Sequence, residues 1–487
     1  MTLREQLYKN YGAYSKKYFE ILSKMSEKDN FTLSEIAKET NYAFKMITEL
    51  VNFFSNDIQA SNQGLYNVKS ELKQEIDFLK NYFAGLENID REQAKAKYLQ
   101  YASKFTSDKK DLDHISATAE TAINRAMYLI ENYDVEKLNI AFLGDHDFTS
   151  IALNILIDFK TTVFDIDNDI LNHISNFNEN IMTFYADFRF GINKIFNDKF
   201  DLVFTDPPYT TNGMDCFLTN AKILCKKSLY SVILCSYYCG DLSIKNGLNV
   251  QRMILDSGLY IEEILHKFNK YNFAESLGYT ADLYVLRLTN FAYTKNSLKL
   301  NNEINIYTHG FMSNESMYQM EQYANMPMIV RVDDGKSFNI FTLIKSSLNG
   351  DNFALPKECY LQNFADYKIN FVQFLFNMNF KTLYFKSKEQ LNEIVAYASL
   401  TKIVNVEQNE NIYKISLLNN LYAELIKRHN LMLNKFINFV QNKLEITDIP
   451  FDDYCKNIFY KYKNYPLSVI PYKFLFKILD CLTKNEK

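Results

Sequence analysis

The feature that most constrains the fold is a regular alternation of short apolar runs with helix-length stretches, which begins near Leu138. The apolar runs are LNIAFLG, TTVFDID, IMTFYADF, FDLVFTD and YSVILCSYY. Runs of this kind are typical of strands buried on both faces, and the stretches between them, such as SIALNILIDF, are long enough for crossover helices. YIEEILHKFNKY and TADLYVLRLTN predict a final pair of strands. The sequence therefore predicts an α/β domain over residues 114–306, with a mostly parallel sheet and helices on both faces.

Three segments flank this domain. Residues 1–70 fit a small winged-helix-like domain, with Thr32 as the N-cap of a helix-turn-helix and IQASNQGLYNV as a hairpin wing. The expected second helix, NYAFKMITEL, carries only one lysine, so docking or dimerisation is favoured over DNA binding. Residues 71–113 predict a helical linker. Residues 307–487 predict a mostly helical C-terminal extension of unknown role, including the stretch that begins VNVEQNENIYKISLL.

Composition excludes several classes of protein. The chain of 487 residues is 47% hydrophobic and 23% charged, which is too apolar for a disordered protein. Its net charge of −4 argues against nucleic acid as the main partner. An N-terminus without an apolar signal core, and the lack of any long apolar run, predict a cytoplasmic protein that does not enter the membrane. Seven cysteines without a CxxC pair indicate neither a disulfide framework nor a zinc site.

The stretch FTDPPYTT follows one of the buried-strand patterns. Two consecutive prolines cannot continue a strand ladder or a helix, so the strand has to end at about Asp206. Asp206 and Tyr209 are thereby expected on a stiff loop beyond the carboxyl end of a strand, where open α/β sheets bind their ligands.

Acidic residues follow three other strands of the predicted sheet. The first strand ends in GDHDFTS, whose Asp145 and Asp147 would repel the pyrophosphate that a GxGxxG loop binds, but would attract a cation. The second strand ends with Asp165 and Asp167, where an acid commonly binds ribose hydroxyls, and the third ends with Asp187. An adenosine that carries a cationic sulfur fits this set of acids.

The motifs GDHDFTS, VFDID, FTDPPYT and the upstream ISATAET resemble those of the branched-chain polyamine synthases, the N(4)-bis(aminopropyl)spermidine synthase family. The resemblance covers about residues 1–310. It implies a Rossmann-like sheet of the class I methyltransferase type, and transfer of aminopropyl groups from decarboxylated S-adenosylmethionine to a secondary amine of spermidine, with release of methylthioadenosine. The expected partners are a polyamine substrate and a second copy of the chain in a homodimer, with no tightly bound cofactor and no metal.

The acids and the resemblance together give a set of candidate site residues. The candidate catalytic residues are Asp145, Asp147, Asp206 and Tyr209. The candidate donor-binding residues are Gly144, Asp145, Asp165, Asp167, Asp187 and Pro207. The candidate acceptor-binding residues are His146, Asp206, Tyr209, Thr210, Glu275 and Asp282. His146 departs from the family loop, which has an acid there, so the resemblance leaves the acceptor polyamine open.

Two other functions remain open at this point. Methyltransferases that modify amino groups with S-adenosylmethionine place a DPPY motif at the same strand end, but usually with a glycine-rich GxG turn where this chain has GDHD. A winged-helix regulator with a ligand-sensing α/β domain is the non-enzymatic alternative. The number of acids retained at the strand ends favours the aminopropyltransferase.

Overall fold

The structure is a computed structural model that describes most of the first 294 residues and parts of the remainder. The described ranges are 1–61, 64–105, 112–237, 244–272, 279–294, 306, 328–331, 337–339, 358–362, 382–385, 403–409, 412–444 and 451–483.

Residues 1–70 contain four helices and a two-stranded hairpin. These elements are α1 Leu3–Tyr11, α2 Ser15–Ser26, α3 Leu33–Thr40, α4 Phe44–Phe53, β1 Ile58–Ala60 and β2 Tyr66–Val68. Thr32 caps α3, as the sequence predicted, and its side chain accepts a hydrogen bond from the backbone of Glu35. The assignment of this unit as a winged helix stays a prediction.

Two further helices, α5 Ser70–Glu87 and α6 Arg91–Ala102, follow the hairpin. They occupy most of the segment predicted as a helical linker. The hydroxyl of Tyr98 on α6 donates a 2.7 Å hydrogen bond to the backbone carbonyl of Asp147, so α6 supports the loop after the first strand of the central sheet.

The central sheet has the predicted mixture of parallel strands and a final antiparallel pair. Its strands are β3 Ile140–Leu143, β4 Thr161–Asp165, β5 Ile181–Tyr185, β6 Leu202–Thr205, β7 Val232–Tyr237, β8 Leu259–Lys270 and β9 Thr280–Leu288. Their order is β5-β4-β3-β6-β7-β9-β8, and β9 runs antiparallel to both of its neighbours. The associated helices are α7 Ala119–Asn132, α8 Thr149–Leu156, α9 Asn168–Ser175, α10 Thr211–Leu224 and α11 Ile244–Asp256.

The strand order reverses at β3. The chain proceeds from β3 outwards through β4 to β5, and then returns to place β6 on the other side of β3. All residues of β3 and β6 are buried, as expected for strands covered by helices on both faces. The crevice beyond the carboxyl ends of β3 and β6 is therefore the expected ligand position in this sheet.

The C-terminal region contains a second sheet, which the prediction of a mostly helical extension missed, and the stretch that begins VNVEQNENIYKISLL forms a strand pair rather than a helix. The sheet has strands β10 Met328–Arg331, β11 Ser337–Asn339, β12 Glu358–Gln362, β13 Thr382–Phe385, β14 Val404–Asn409 and β15 Ile412–Leu417. β14 and β15 pair as an antiparallel hairpin. In β14, Val404 and Val406 alternate with polar residues, a period that fits a pleated strand better than a helix and that the sequence analysis overlooked.

Four helices follow the second sheet in the described residues, and one of them, α14, contacts the central sheet. They are α12 Leu421–Lys427, α13 Leu433–Leu444, α14 Asp453–Tyr462 and α15 Tyr472–Thr483. The buried hydroxyl of Tyr462 donates to the carbonyl of Thr183 on β5 at 2.9 Å. Cys455 and Cys481 join α14 to α15 through a disulfide that the cysteine pattern did not indicate. None of the described helices is long and apolar enough to cross a membrane.

Candidate active site

The loops after β3 and β6 lie side by side because these two strands are parallel neighbours, with Leu143 opposite Thr205. Gly144 begins the first loop with a φ of +69°, and a Cβ at this position would lie 3.2 Å from the ring of Phe217. Glycine is therefore favoured here by the positive φ of the turn, and a side chain would also crowd the ring of Phe217. The second loop runs from Asp206 to α10, whose N-cap is Thr210.

A cavity opens between the two loops, with about 950 Å³ of empty space that is partly open to solvent. The predicted site residues on its wall are Gly144, His146, Asp147, Asp165, Asp206, Pro207 and Tyr209. Apolar side chains, including Ile115, Ile166, Phe188 and Phe217, form much of the remaining wall. The cavity therefore combines carboxylates with an apolar lining, which is the usual character of a site for a small organic ligand.

Asp206 is the centre of a hydrogen-bonded cluster. Its Oδ1 accepts from the hydroxyl of Tyr209 at 2.9 Å, and its Oδ2 accepts from the hydroxyl of Tyr271 at 2.7 Å and from Nη2 of Arg125 at 2.5 Å. The two tyrosine hydroxyls are 2.6 Å apart. Burial raises the pKa of both tyrosines well above the ordinary value, so their hydroxyls stay protonated at neutral pH and act as donors.

Opposing influences act on the charge of Asp206. Burial raises the pKa of this carboxyl above its ordinary value, whereas Arg125 and the hydrogen bond from Tyr271 act to lower it. Of the four lone-pair positions that a carboxylate offers, the described contacts use three. Asp206 thus keeps capacity for one further hydrogen bond, on Oδ1.

The carboxylate of Asp147 is bound on both oxygens by the protein. Oδ1 accepts from the backbone amide of Ala117 at 2.5 Å, and Oδ2 accepts from Nη1 of Arg125 at 2.8 Å. This aspartate therefore ties the segment before α7 to the loop after β3, although it also faces the cavity.

Asp145 has a different environment from Asp147. Its Oδ1 accepts from the backbone amide of Thr149 at 2.8 Å, and its Oδ2 accepts from the amide and the hydroxyl of Ser150. The carboxylate thus satisfies the first amides of α8. Burial raises the pKa of Asp145 to about 7, although the hydrogen bonds from Ser150 oppose the shift.

Asp165, the last residue of β4, and Asp167 organise the neighbouring turn. Asp165 accepts from the backbone amide of Asp145 at 3.1 Å and from that of Asp167 at 2.7 Å, and it lies on the cavity wall. Asp167 is the N-cap of α9 and accepts from the amide of Asp169 at 2.9 Å. The turn after β4 is therefore held rigidly against the loop after β3.

Several candidate residues lie away from the described cavity wall, namely Asp145, Asp167, Asp187, Thr210 and Asp282. Asp187 forms a buried bidentate pair with Arg189, at 2.8 and 2.6 Å. Thr210 caps α10 and donates to the carbonyl of Ile306 at 2.8 Å. Asp282 accepts from the backbone amide of Lys267 at 2.7 Å. Glu275 lies outside the described residues.

His146 occupies the part of the cavity wall that is nearest to the segment before α7. Its ring stacks on that of His114, with centroids 4.3 Å apart, and its Nε2 lies 3.1 Å from the hydroxyl of Ser116. His114 also lines the cavity. Two imidazole rings therefore stand where the family resemblance led us to expect an acid.

The sequence analysis missed Arg125 and Tyr271, which hold Asp206. The side chain of Arg125 is fully buried on the face of α7 that also carries Ala122 and Leu129. A charged residue within the apolar stripe of a helix can be seen in the sequence, and this feature could have identified Arg125. Tyr271 directly follows β8, and no pattern in the sequence distinguishes it from the many other tyrosines.

The sheet order with one antiparallel strand, and the cavity at the strand ends, define a Rossmann-like domain of the class I methyltransferase type. Residues 93–325 match the family model of the branched-chain polyamine synthase A C-terminal domain. Residues 93–325 are therefore similar to the C-terminal domain of this family, which confirms the resemblance carried by the loop motifs.

Individual relatives show the extent of the similarity. An uncharacterized protein of Methanocaldococcus jannaschii is 33% identical over 175 residues, which are 35% of this chain and 44% of that protein. The N(4)-bis(aminopropyl)spermidine synthase of Thermococcus kodakarensis is 28% identical over 193 residues, 37% of this chain and 54% of that enzyme. The chain thus spans about half the length of the curated relatives it matches.

A solved structure has the same family name. The branched-chain polyamine synthase of Thermus thermophilus, in complex with N4-aminopropylspermidine and 5'-methylthioadenosine, is 16% identical and has a TM-score of 0.40. The alignment covers 64% of this chain and 96% of that chain.

Proposed function

We propose that this protein is a polyamine aminopropyltransferase, which moves aminopropyl groups from decarboxylated S-adenosylmethionine to a secondary amine of spermidine or a similar polyamine. The observation that carries the proposal is the cavity at the ends of β3 and β6, where Asp147, Asp165 and Asp206 face the same space. Both substrates are cations, and a wall of carboxylates attracts cations. The family match over residues 93–325 supports the same activity.

The donor is assigned to the part of the cavity next to Gly144, Asp165 and Pro207. Asp165 is the acid of the β4 turn that reaches the wall, so we assign it, rather than Asp167, to the ribose hydroxyls. The apolar side chains of Ile166 and Phe217 offer a surface for the adenine base. In this part of the cavity a decarboxylated donor is favoured over intact S-adenosylmethionine, because it lacks the carboxylate that the acids would repel.

The acceptor is assigned to the part of the cavity near Asp206, Tyr209 and His146. The neutral secondary amine of the acceptor attacks the methylene carbon next to the sulfonium, so that a new N–C bond forms while the C–S bond breaks. The sulfur keeps the electron pair of the broken bond and leaves as methylthioadenosine. The proton of the product ammonium passes to a carboxylate or to water.

Asp206 is the acid that we assign to the acceptor amine. Its side chain is 13% exposed, against 7% for that of Asp147, and it lies on the same loop as Tyr209. A raised pKa makes Asp206 a better proton acceptor than an ordinary surface aspartate. Tyr209 orients Asp206 and offers its ring to a cation. The placement of the two reactants supplies the remaining acceleration.

The function is tested by offering the purified protein both S-adenosylmethionine and its decarboxylated form, with spermidine as acceptor, and identifying products by mass spectrometry. We expect methylthioadenosine and a spermidine derivative with one or two added aminopropyl groups. Turnover of S-adenosylmethionine alone, with adenosylhomocysteine as product once a nucleic-acid or protein acceptor is added, would instead establish a methyltransferase of the DPPY type.

A further inference from the structure

Arg125 is the buried cation of the candidate active site, and its side chain is 0% exposed. It projects from α7 between the loop after β3 and the loop after β6. The guanidinium donates to Asp147 at 2.8 Å and to Asp206 at 2.5 Å. Its third nitrogen, Nε, donates to the side-chain carbonyl of Asn269 on β8 at 2.7 Å. One rigid group therefore contacts three separate segments of the domain.

The geometry of the guanidinium relates the two carboxylates to each other. Its nitrogens lie in a fixed planar fork, so the positions of the Asp147 and Asp206 oxygens that they bind are fixed with respect to one another. Nη2 also lies 3.2 Å from the hydroxyl of Tyr271, which itself donates to Asp206. The orientation of the Asp206 carboxylate is thereby set from two directions.

The cluster also has a defined charge. Two carboxylates and one guanidinium leave one net negative charge, instead of the two that the acids alone would present. Asp147 balances part of the charge of Arg125, with which it pairs at 2.8 Å. Asp206 is the more exposed of the two acids, with 13% of its side chain exposed against 7% for Asp147.

We propose that Arg125 is a positioning residue that clamps the loop after β3 to the loop after β6 and holds Asp206 as an ionised carboxylate facing the acceptor amine. This inference rests on the proposed function. It goes beyond that function because it names a residue outside both loop motifs on which the reacting geometry depends.

The test compares Arg125→Lys and Arg125→Ala with the matched control Arg4→Lys. Arg4 also pairs with two acids, Asp134 and Glu136, but in the contact of α1 with the segment before β3 rather than at the cavity. We expect Arg125→Ala to lower kcat about 100-fold, because a small displacement of reacting groups has effects of this size. Arg125→Lys should keep part of the activity, since it retains the charge without the fork. Arg4→Lys should keep wild-type kcat at a temperature where it is folded.

Two measurements distinguish a positioning role of Arg125 from a merely structural one. Guanidinium added at millimolar concentration should restore part of the kcat of Arg125→Ala, because the small cation can occupy the vacated site. The acidic limb of the kcat/KM profile should move to higher pH in Arg125→Ala, because the loss of the cation favours protonated Asp206 next to Asp147, Tyr209 and Tyr271. Folded Arg125→Ala with wild-type kcat, or with neither rescue nor a moved limb, would overturn the proposal.

The proposed function and the role of Arg125 can fail separately. If the wild-type protein yields no methylthioadenosine, the function fails, and a crystal structure of Arg125→Lys decides the positioning role without any activity. We expect Asp206 to turn away from its present orientation, or the two loops to separate. Unchanged positions of Asp147 and Asp206 would show that Arg125 does not position them. If Arg125→Lys does not crystallise, the same comparison is made on Arg125→Gln.

Discussion

The hydroxyl of Tyr271 lies 2.7 Å from Oδ2 of Asp206, although 65 positions of sequence separate the two residues. The contact arises because β8 delivers Tyr271 to the edge of the sheet where β6 ends. The carboxylate on the proline-containing loop after β6 is therefore bound by a residue that directly follows β8 and is distant in sequence.

The first prediction concerns this contact. Tyr271→Phe removes the hydroxyl and keeps the ring, so Asp206 retains only the hydrogen bonds from Arg125 and Tyr209. A hydrogen bond to a charged group contributes about 1.5–3 kcal/mol, which corresponds to roughly a tenfold to hundredfold loss in kcat/KM. Steady-state assay of methylthioadenosine release checks the value.

The control for Tyr271→Phe is Tyr8→Phe. Tyr8 also donates its hydroxyl to a carboxylate, that of Asp201, at 3.1 Å, but this pair is remote from the cavity. Tyr8→Phe should leave kcat/KM unchanged within twofold. Equal effects of the two substitutions would mean that the Tyr271 hydroxyl contributes only to general stability.

The second prediction concerns Asp206. Asp206→Asn places an amide against Arg125 and Tyr271 and removes the group that we assign to the acceptor amine. We expect kcat to fall by about 10²–10⁴-fold, as is typical when a positioned acid or base is lost. The fold should be retained because Asp147 still balances the charge of Arg125. Circular dichroism and turnover are measured on the same preparation, and wild-type turnover would remove Asp206 from the mechanism.

The sequence predicted most of the central fold because its signals are local. Buried parallel strands have continuous apolar runs, and each run here is followed by a stretch of helical length, so the strands from β3 to β9 could be located in advance. The second sheet was missed for the opposite reason. Its described strands are short and distant in sequence, and the order β11-β10-β12-β13-β15-β14 depends on pairing that local periodicity does not reveal.

The sequence indicated where the candidate acids lie along the chain, but not which groups their side chains contact. The acids do follow the strands where the sequence indicated, but a residue number does not tell which way a carboxylate faces. Asp145 accepts from the first amides of α8, Asp167 caps α9 and Asp187 pairs with Arg189, because a helix N-terminus or a nearby guanidinium competes with the cavity for each acid. The outcome depends on residues that are close in space but distant in sequence, as Arg125 is from Asp206.

The third prediction concerns the residue that departs from the family loop. His146→Asp adds a negative charge to the cavity wall and removes the stacking contact with His114. An added charge within a few ångströms of a cationic acceptor contributes about 1 kcal/mol or more, so KM for spermidine should fall by roughly fivefold to tenfold. His146→Asn loses the same stacking without gaining the charge and is the control. If both variants change KM alike, the acceptor does not sense the charge at this position.

The fourth prediction concerns Asp145 and the pH dependence of stability. Its pKa is about 7 in the folded protein, where burial is the main cause, and near the ordinary aspartate value of about 3.9 in the unfolded chain. Between these values the folded protein holds a proton that the unfolded chain has lost, so the free energy of unfolding decreases as the pH rises through this window, by about 1.4 kcal/mol per pH unit. Above pH 7 the contribution no longer changes.

Asp145→Asn isolates that contribution because asparagine does not titrate. The melting temperature of the wild type minus that of the variant should decrease between pH 5 and pH 7, which corresponds to roughly 2 kcal/mol in favour of the variant. Asp201→Asn, in which a buried aspartate paired with Lys226 is replaced, provides the comparison at a second buried acid. A difference for Asp145→Asn that stays constant or grows with pH would show that the hydrogen bonds from Thr149 and Ser150 keep the carboxylate ionised despite its burial. Asp145 would then present its charge at the end of β3 throughout the neutral range.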